Sequence, residues 1–333
     1  MKAFIVDQYK DVTARRIGEM PTPVIQHDEV LVRVHAASVN PLDNKLAAGD
    51  FKPILPLRTP FILGHDLAGI VEQTGSAVTR FKAGDAVYGR PRDGSVGTFA
   101  EFIAVNQADL ALKPSNLSMQ EAAAIPLVGL TAWQVLVEHA QVQSGQKVLI
   151  HAGSGGFGSM AIQLSKHLGA EVATTTGPDN LALVASLGAD VVVNYKTQQF
   201  ETLLDGYDLV INTQGKATLA KSAKVLRPGG QLISISGPPD AAFAKALGLN
   251  PILRLVMSAL SSGIRRTARQ RRVNYAFHFM HASGEQLEML TPLLEAGTLR
   301  PVIDRVFSFA EVAEALAYVE SGHAKGKVVV NIA

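Results

Sequence analysis

The sequence predicts an α/β chain of two domains, one built mostly of β-strands and one built around a doubly wound parallel sheet. Two observations carry this prediction. The first third of the chain is rich in short strand patterns that turn at glycines, and residues 147–237 alternate apolar strands with helical segments. Nearly continuous apolar strands that alternate with helices are typical of a parallel sheet covered on both faces. A length of 333 residues is comfortable for two domains.

Composition narrows the class of protein. Hydrophobic residues make up 47% of the chain and charged residues 18%, which excludes global disorder. The formal net charge of +2 does not predict a nucleic-acid partner. Because the chain has no cysteine, disulfides, iron–sulfur clusters and thiol nucleophiles are excluded, and we expect a cytoplasmic protein. The first residues lack the apolar core of a signal peptide, and no uncharged apolar run reaches the ~18 residues of a membrane span.

The first part of the chain consists mainly of strands. EVLVRVHAASV at residues 29–39 alternates apolar and polar side chains, as a half-buried strand does. Three further short strand patterns follow at 61–75, 84–89 and 97–105. Helical periodicity begins at residue 119 and continues to residue 140, with a break at Pro126.

The next part has a strand–helix rhythm. Five apolar runs predict its strands: KVLIHAG, AEVATTT, ADVVVNY, YDLVINT and GGQLISISG. Residues 241–264 are apolar and helix-like, and RRTARQRR at 265–272 follows them. We interpret these arginines as one solvated helix face, and a phosphate or anionic-surface patch is the alternative. Amphipathic helices at 284–297 and 309–322 and a closing strand, GKVVVNI, complete the chain.

A glycine motif follows the first of these strands. Gly153, Gly155 and Gly158 satisfy G-x-G-x-x-G between a strand and a helix, the context of a Rossmann dinucleotide site. Without side chains, the main-chain N–H groups and the positive helix end can approach a pyrophosphate. We expect Val at position 155 or 158 to abolish cofactor binding while the fold survives. The intervening positions complete the predicted loop: Ser154, Gly156 and Phe157.

The end of the second strand favours NADPH. An NAD site usually has Asp or Glu on the ribose hydroxyls about 20 residues after the glycines. Here the strand ends in threonines, and a neutral tip tolerates a 2′-phosphate that a carboxylate would repel. We therefore predict phosphate contacts from Thr175, Thr176 and Tyr195, although Asn180 stands where a Lys or Arg would be expected.

Ten segments, in order along essentially the whole chain, support a family resemblance: HAASVNPLDNKLAAG, PFILGHDLAGIVEQTG, FKAGDAVYG, GTFAEF, EAAAIPLVGLTAWQVL, AGSGGFGSMAIQL, GADVVVNY, LRPGGQLISISG, LEAGTLRPVIDRVFSFAEVAEAL and GHAKGKVVV. With them the sequence resembles the medium-chain dehydrogenase/reductase superfamily, in its zinc-independent NADPH:quinone oxidoreductase branch. The resemblance implies a GroES-like catalytic domain, 1–124 and 300–333, around an inserted Rossmann NADP(H)-binding domain, 125–299. It also implies a cofactor in the cleft between them and a homodimer.

The resemblance raises the question of zinc. In the zinc enzymes of this superfamily, a Cys, the His of a GHE motif and a further Cys or acid hold the metal. Here His65 stands in GHD, Asp66 replaces the Glu, and the segment of the first Cys offers only Asn40 and Asp43. Catalytic zinc usually needs three protein ligands, so we predict no metal site. A His/Asp-only site on His65 remains the alternative, and with it a zinc-assisted alcohol dehydrogenase.

Without a Lewis acid, the expected chemistry is hydride transfer to a small hydrophobic quinone or α,β-unsaturated carbonyl. By resemblance, Asn40, Asp43 and Thr131 line the nicotinamide end of the site, with Asn40 as a neutral donor to the substrate oxygen. A structural role is the alternative, since NPLD is a good turn sequence. Further cofactor contacts are implied for the main chain around four residues: Ser236, Gly237, Phe277 and Phe279.

Two further points concern protons and competing functions. Related enoyl thioester reductases use a Tyr proton donor where this chain has Phe51, and a phenyl ring cannot donate. Tyr88 is a candidate donor, but we expect a core tyrosine. A low-turnover NADPH- or RNA-binding protein is the remaining alternative, and only the arginines at 265–272 support it.

Overall fold

The computed structural model describes residues 1–333. Its strands are β1 Lys2–Val6, β2 Arg15–Glu19, β3 Glu29–Val39, β4 Phe61–Ile62, β5 Asp66–Thr74, β6 Ala86–Gly89, β7 Phe102–Asn106, β8 Leu110–Leu112, β9 Lys147–Ile150, β10 Glu171–Thr176, β11 Val191–Asn194, β12 Tyr207–Asn212, β13 Leu226–Ser234, β14 Asn274–Phe277, β15 Ile303–Ser308 and β16 Lys327–Asn331. Its α-helices are α1 Pro41–Ala47, α2 Met119–Ala123, α3 Pro126–Trp133, α4 Gly156–His167, α5 Leu181–Ser186, α6 Phe200–Leu203, α7 Lys216–Val225, α8 Ala241–Ala246, α9 Pro251–Leu260, α10 Ser262–Arg271, α11 Gly284–Glu295 and α12 Val312–Glu320.

The chain forms two compact units, which we call the β unit (Met1–Leu130 with His281–Ala333) and the α/β unit (Thr131–Met280). The predicted domain boundaries at 124/125 and 299/300 remain a prediction, and they differ from this division mainly at α11. That helix lies in the β unit because the Tyr88 hydroxyl donates to the Leu287 carbonyl at 2.9 Å. Gly284, its first residue, also lies so close to β8 that a Cβ would overlap the Leu110 carbonyl.

The β unit contains two sheets. One has seven strands, in the order β15-β16-β3-β5-β6-β8, with β7 also paired to β3. The other is the three-stranded antiparallel sheet β2-β1-β4. Strand β3 alternates as the sequence predicts over part of its length, since Val32 and Val34 are buried and Arg33 between them is exposed. Apolar residues of β3, β5 and α12 meet in one core, which holds the sheet and this helix together.

The α/β unit is a six-stranded parallel sheet in the order β11-β10-β9-β12-β13-β14. The chain starts at β9, moves outward to β11, and then returns to continue from β12 on the other side. The strand order therefore reverses between β9 and β12, which is the point where ligands bind in open α/β sheets. The predicted fold class, an α/β chain with a mostly β domain and a doubly wound Rossmann sheet, is confirmed.

Two details of the α/β unit differ from the sequence prediction. Strand β14 is a sixth strand that the sequence did not predict. Its sequence NYAF follows five arginines and has no long apolar run, so it gave no strand signal. The continuous helix expected over 241–264 is instead three helices, α8, α9 and the start of α10, because residues 248–250 and Ser261 interrupt it. None of the helices combines the length and apolar character that crossing a bilayer requires.

Candidate active site and cofactor loop

The glycine motif forms the loop between β9 and α4. Gly155 is the N-cap of α4, with an extended backbone at φ −78° and ψ 172°. The Gly155 N–H donates to the Ala152 carbonyl at 3.0 Å, which closes a tight turn before the helix. The Gly153 N–H donates to the Thr175 carbonyl at 3.0 Å and ties the loop to the end of β10. The loop and the open N-terminus of α4 thus lie at the carboxyl ends of the strands.

The three motif glycines are required for different reasons. A Cβ at Gly153 would overlap the Thr174 hydroxyl, and one at Gly158 would overlap the Ala152 carbonyl. Close packing within the protein therefore explains both. A Cβ at Gly155 would only touch the Ala152 carbonyl at an ordinary 3.4 Å, and its φ suits any residue. Neither packing nor backbone conformation requires a glycine at 155, so the open space beside it fits a ligand that approaches the main chain.

For the Val variant at position 158, the structure leads to a different expectation from the sequence analysis. At Gly158, the added side chain would meet the main chain of Ala152 and Gly153, which cannot move away without disturbing the loop. The fold is expected to suffer there, whereas position 155 has room for a side chain.

Polar side chains surround the loop at the ends of β10 and β11. The Thr176 hydroxyl donates to Ser154 Oγ at 3.0 Å, and the Asn180 amide donates to the same oxygen at 3.3 Å. Tyr195 is 57% exposed, and its N–H donates to the Thr176 carbonyl at 3.2 Å. The ammonium of Lys196 lies 5.2 Å from the centre of the Tyr195 ring. Lys196 is the cation that the sequence prediction missed; its position just after a strand end was the available signal.

Thr175 is turned into the protein rather than toward the surface. Its hydroxyl is 3.1 Å from His151 Nδ1 and accepts from the Ala152 N–H at 3.2 Å. His151 Nε2 in turn lies 2.9 Å from the Ser222 hydroxyl on α7. Burial lowers the pKa of His151 to about 4, so this imidazole is neutral at physiological pH. The side chain of Thr175 therefore belongs to a buried network that joins β9, β10 and α7.

The residues implied for the nicotinamide end lie at the end of β14 and just after β13 and β14. Gly237 has φ +99°, which favours glycine, and its carbonyl accepts from the Ser234 hydroxyl at 2.7 Å. The Ser236 hydroxyl donates to the Gln214 carbonyl at 2.7 Å and keeps its lone pairs, so a ligand can reach both this exposed side chain and the main chain of the turn. Phe277 and Phe279 both pack against Phe243, with ring centres 4.9 and 5.7 Å away.

In the β unit, a buried polar cluster forms around the start of α1. His65 Nδ1 donates to Asp43 at 2.6 Å, and the other Asp43 oxygen accepts from the Asn40 N–H at 2.7 Å. The Asn40 amide donates to Asp66 at 2.8 Å. All four of these side chains are at most 1% exposed. Asn40, Asp43, His65 and Asp66, which the sequence analysis considers separately for catalysis and for a metal, thus form one connected set of hydrogen bonds.

Lys327, the first residue of β16, completes this cluster. Its ammonium donates to Asn40 Oδ1 at 2.5 Å and to Asp66 at 3.1 Å, and its side chain is only 5% exposed. A buried ammonium needs such partners, because an unpaired charge in the interior is costly. Sequence reasoning missed Lys327 because the segment GKVVVNI reads simply as a strand. The signal was a Lys at the start of an otherwise apolar, buried run.

The donor set does not fit a zinc ion. Asp66 accepts from the Ser38 hydroxyl and the Leu127 N–H, at 2.7 and 2.8 Å, in addition to Asn40 and Lys327. His65 is already bound to Asp43, and no group of three or more His, Cys, Asp or Glu side chains is arranged to hold a metal ion. Catalytic zinc usually takes three protein ligands. The charge that faces Asp66 in this chain is an ammonium.

The remaining predicted residues are placed as follows. Thr131 is buried, on helix α3, four residues after Leu127. Tyr88 is fully buried and its pKa is raised by burial, which makes it a core residue rather than a proton donor. Phe51 is partly buried and packs against the core of the β unit.

Comparison with known proteins agrees with this geometry. Residues 26–115 match the alcohol dehydrogenase GroES-like domain, and residues 187–330 match the zinc-binding dehydrogenase family, outside the segment of His65 and Asp66. The chain is 37% identical to 2-methylene-furan-3-one reductase of Solanum lycopersicum over 99% of its length and 79% of the relative. It is 35% identical, with the same coverage, to the chloroplastic NADPH-dependent alkenal/one oxidoreductase of Arabidopsis thaliana. The structure of the quinone oxidoreductase from Coxiella burnetii superposes with a TM-score of 0.87 at 31% identity, covering 100% of this chain and 99% of that one.

A doubly wound sheet with a glycine loop at its reversal point, joined to a GroES-like unit, defines a class of two-domain oxidoreductases. The sequence identities extend over nearly the whole chain and over most of each relative. The chain therefore belongs to the medium-chain dehydrogenase/reductase superfamily, in its quinone oxidoreductase-like branch.

Proposed function

We propose that this protein is an NADPH-dependent reductase that transfers a hydride to quinones or α,β-unsaturated carbonyls without a metal ion. The observation that carries the proposal is the glycine loop at the point where the strand order reverses. Packing does not require a glycine at position 155, and its missing side chain leaves the main chain accessible to a ligand. The substrate class follows from the relatives, since 2-methylene-furan-3-one and alkenals both contain a carbon–carbon double bond conjugated to a carbonyl.

The chain's residues would bind the cofactor mainly through the main chain. The N–H groups at the start of α4 and of the loop 153–158 would hold the pyrophosphate. The turn at Ser236 and Gly237 would offer main-chain groups to the nicotinamide amide, and the rings of Phe277 and Phe279 would lie nearby. When bound, the reduced nicotinamide supplies the hydride, and the protein's task is orientation and exclusion of water.

Recognition of the 2′-phosphate is assigned to the ends of β10 and β11. The sequence analysis predicts 2′-phosphate contacts from Thr175, Thr176 and Tyr195, and we add Lys196. The exposed Tyr195 and the ammonium of Lys196 can reach an anion, whereas the Thr175 hydroxyl is held by His151 and the Ala152 N–H. Thr175 and Thr176 would then form an end of β10 that has no carboxylate. A carboxylate there, as in NAD sites, would repel the 2′-phosphate.

The family resemblance implies a catalytic role for Asn40, Asp43 and Thr131, with a structural role as the alternative. The hydrogens of the Asn40 amide are directed at Asp66 and, at a longer 3.4 Å, at the Ser38 carbonyl. We therefore infer that Asn40 and Asp43 mainly fix the loop and the start of α1, through the Asn40 N–H to Asp43 bond. Thr131 remains the proposed partner of the nicotinamide or its ribose.

Compartment and assembly are also proposals. A cysteine-free chain suits the reducing cytoplasm. We place the contact of the proposed homodimer at strand β14, which lies at an edge of the six-stranded sheet.

The proposal is tested by anaerobic oxidation of NADPH with a panel of quinones, enals, enones and simple alcohols or aldehydes, run beside NADH and repeated after chelation. We expect turnover with quinones or enones, a preference for NADPH, and no loss of rate with EDTA. Lys196→Gln should raise the KM for NADPH several-fold and leave that for NADH unchanged, because it removes one phosphate-facing cation. Turnover confined to alcohols, lost on chelation, would instead favour a zinc-assisted dehydrogenase.

A further inference from the structure

Helix α9 presents its apolar side to solvent. Ile252, Leu255, Val256 and Leu260 are exposed by 74, 72, 47 and 51%. Their spacing of three, four and eight residues from Ile252 puts them on one side of the helix, while Met257 on the other side is buried. A surface helix of a soluble protein usually turns such a stripe inward, so this helix has the reverse orientation.

The same stretch of chain carries charge of one sign. Residues 241–272 contain seven Lys or Arg and no Asp or Glu, although the formal net charge of the whole chain is only +2. On α10, Ile264 and Ala268 pack into the core of the α/β unit, which leaves the opposite side to solvent. That side and the end of the helix hold four exposed arginines with no carboxylate partner: Arg266, Arg269, Arg271 and Arg272.

Helices α9 and α10 are linked to each other by a side-chain contact. The Arg265 guanidinium donates to the carbonyl and to the hydroxyl of Ser258, both at 2.7 Å, and so links α10 to α9. Asn250 caps the start of α9 by accepting from the Leu253 N–H at 2.9 Å. We call the exposed side of residues 251–272 the α9–α10 surface. It combines an apolar stripe with adjacent unneutralised cations.

We propose that the α9–α10 surface binds peripherally to anionic lipid membranes. The apolar side of α9 would insert at the boundary of headgroups and acyl chains, and the arginines of α10 would pair with anionic headgroups. This combination is what interfacial amphipathic helices use, and each Lys or Arg near an anionic membrane adds to the electrostatic attraction. The proposal does not depend on the reductase activity.

Two other occupants fit the surface less well. A second copy related by a twofold axis would bring the same cations together, and residues 241–272 contain no acid to meet them. Single-stranded nucleic acid is usually bound by aromatic side chains that stack on bases, and residues 244–272 contain no Phe, Tyr or Trp.

The test is flotation of the full-length protein with vesicles of phosphatidylcholine alone and vesicles in which part is replaced by phosphatidylserine. We expect flotation with the anionic vesicles, weakened by added salt, and little with phosphatidylcholine alone. Leu255→Glu and the pair Arg266→Gln with Arg269→Gln should each lower the vesicle partition coefficient at least about tenfold. All variants are compared for NADPH oxidation and unfolding midpoint, so that a folding defect is recognised.

Matched controls come from the β unit. Val24 is 84% exposed, so Val24→Glu removes an exposed apolar side chain outside the α9–α10 surface. The pair Arg58→Gln with Lys82→Gln removes two exposed charges that also lie outside it. These variants should float like the parent protein. The proposal is overturned if the parent protein fails to float at low salt, or if the controls lose as much binding as the α9–α10 variants. It is also overturned if Leu255→Glu converts a dimer to a monomer, or if the arginines serve RNA binding without any effect on flotation.

Discussion

Gly155 is the glycine of the motif that cofactor binding is expected to require and folding is not. The other two glycines of the motif, Gly153 and Gly158, have no room for a side chain, so packing alone requires a glycine at both positions. At Gly155 the protein has room for a Cβ. Such a side chain would obstruct only a ligand that lies close to the main chain. This makes it the most informative single position in the proposed cofactor loop.

We therefore predict opposite outcomes at two glycines. Gly155→Val should weaken NADPH binding at least about tenfold, because the side chain keeps the pyrophosphate from the N–H groups, each worth about 1.5–3 kcal/mol to a charged partner. Its stability should fall by only about 1 kcal/mol, the cost of replacing an N-cap glycine. Fluorescence titration and urea unfolding measure the two effects.

Gly158→Ala serves as the contrasting variant. Its Cβ would press on the main chain of Ala152 and Gly153, so the free energy of unfolding should fall by about 1–3 kcal/mol. If Gly155→Val bound NADPH as tightly as the parent protein, the cofactor loop would be assigned incorrectly.

Lys327 is the second residue with a specific prediction. Lys327→Met leaves the buried Asp66 carboxylate without its ammonium, and breaking a buried pair from one side costs about 3–5 kcal/mol. We expect that loss in the free energy of unfolding by denaturant titration. Adding Asp66→Asn should restore part of the stability, because the uncompensated charge is then absent. The Asp66→Asn single variant completes the cycle, and a loss in the double variant equal to the sum of the two single losses would show that the pair is not coupled.

At the scale of elements, His151 links the end of β9 to β10 and α7. Its two ring nitrogens contact Thr175 and Ser222, and its ring packs edge-on against Phe200 at 4.6 Å. These elements also position the glycine loop, which begins two residues later at Gly153. A neutral imidazole in this place ties the stability of the sheet to pH.

The folded-state pKa of His151 is about 4, below its ordinary value of 6.5, because burial disfavours the charged ring. Between these pH values the unfolded chain binds a proton that the folded chain does not. The stabilisation is thus complete above about pH 6.5 and is lost as the pH falls toward 4, by about 3 kcal/mol in total. His151→Gln should be less stable at pH 7 but should show a shallower decline on acidification, measured by denaturant unfolding across this range.

The control is His27→Gln, since the side chain of His27 is 74% exposed. This variant should keep the pH dependence of the parent protein. An unchanged slope in His151→Gln would mean that other groups account for the acid sensitivity.

At the scale of the whole molecule, the sequence predicts well what depends on local pattern. The five apolar runs become β9 to β13 because strands of a parallel sheet covered on both faces have nearly continuous apolar sequences. The glycine loop could be predicted because its context, strand before and helix after, is local as well. Strand β14 escaped prediction because its pairing with β13, not its own sequence, makes it a strand.

Long-range polar contacts are the part that the sequence could not supply. Lys327 reaches Asn40 across 287 positions of the sequence, and the bond exists only because β16 pairs with β3. Tyr195 and Thr176, by contrast, are grouped by the sequence analysis, and the pairing of β11 with β10 brings them together. The orientation of α9 could not be inferred either, since an amphipathic pattern does not say which side faces the protein.

The parallel topology makes a prediction for the molecule as a whole. Because the carboxyl ends of β9, β10 and β11 lie at one edge of the sheet, NADPH should protect three separate stretches together: 151–158, 174–177 and 194–196. Hydrogen exchange followed by mass spectrometry, with and without NADPH, measures this, and the sheet β2-β1-β4 is the internal reference. NADH should protect 151–158 but have a smaller effect on 194–196, because it lacks the 2′-phosphate. Protection in Gly155→Val equal to that of the parent protein, or protection absent from 151–158, would contradict binding at this edge.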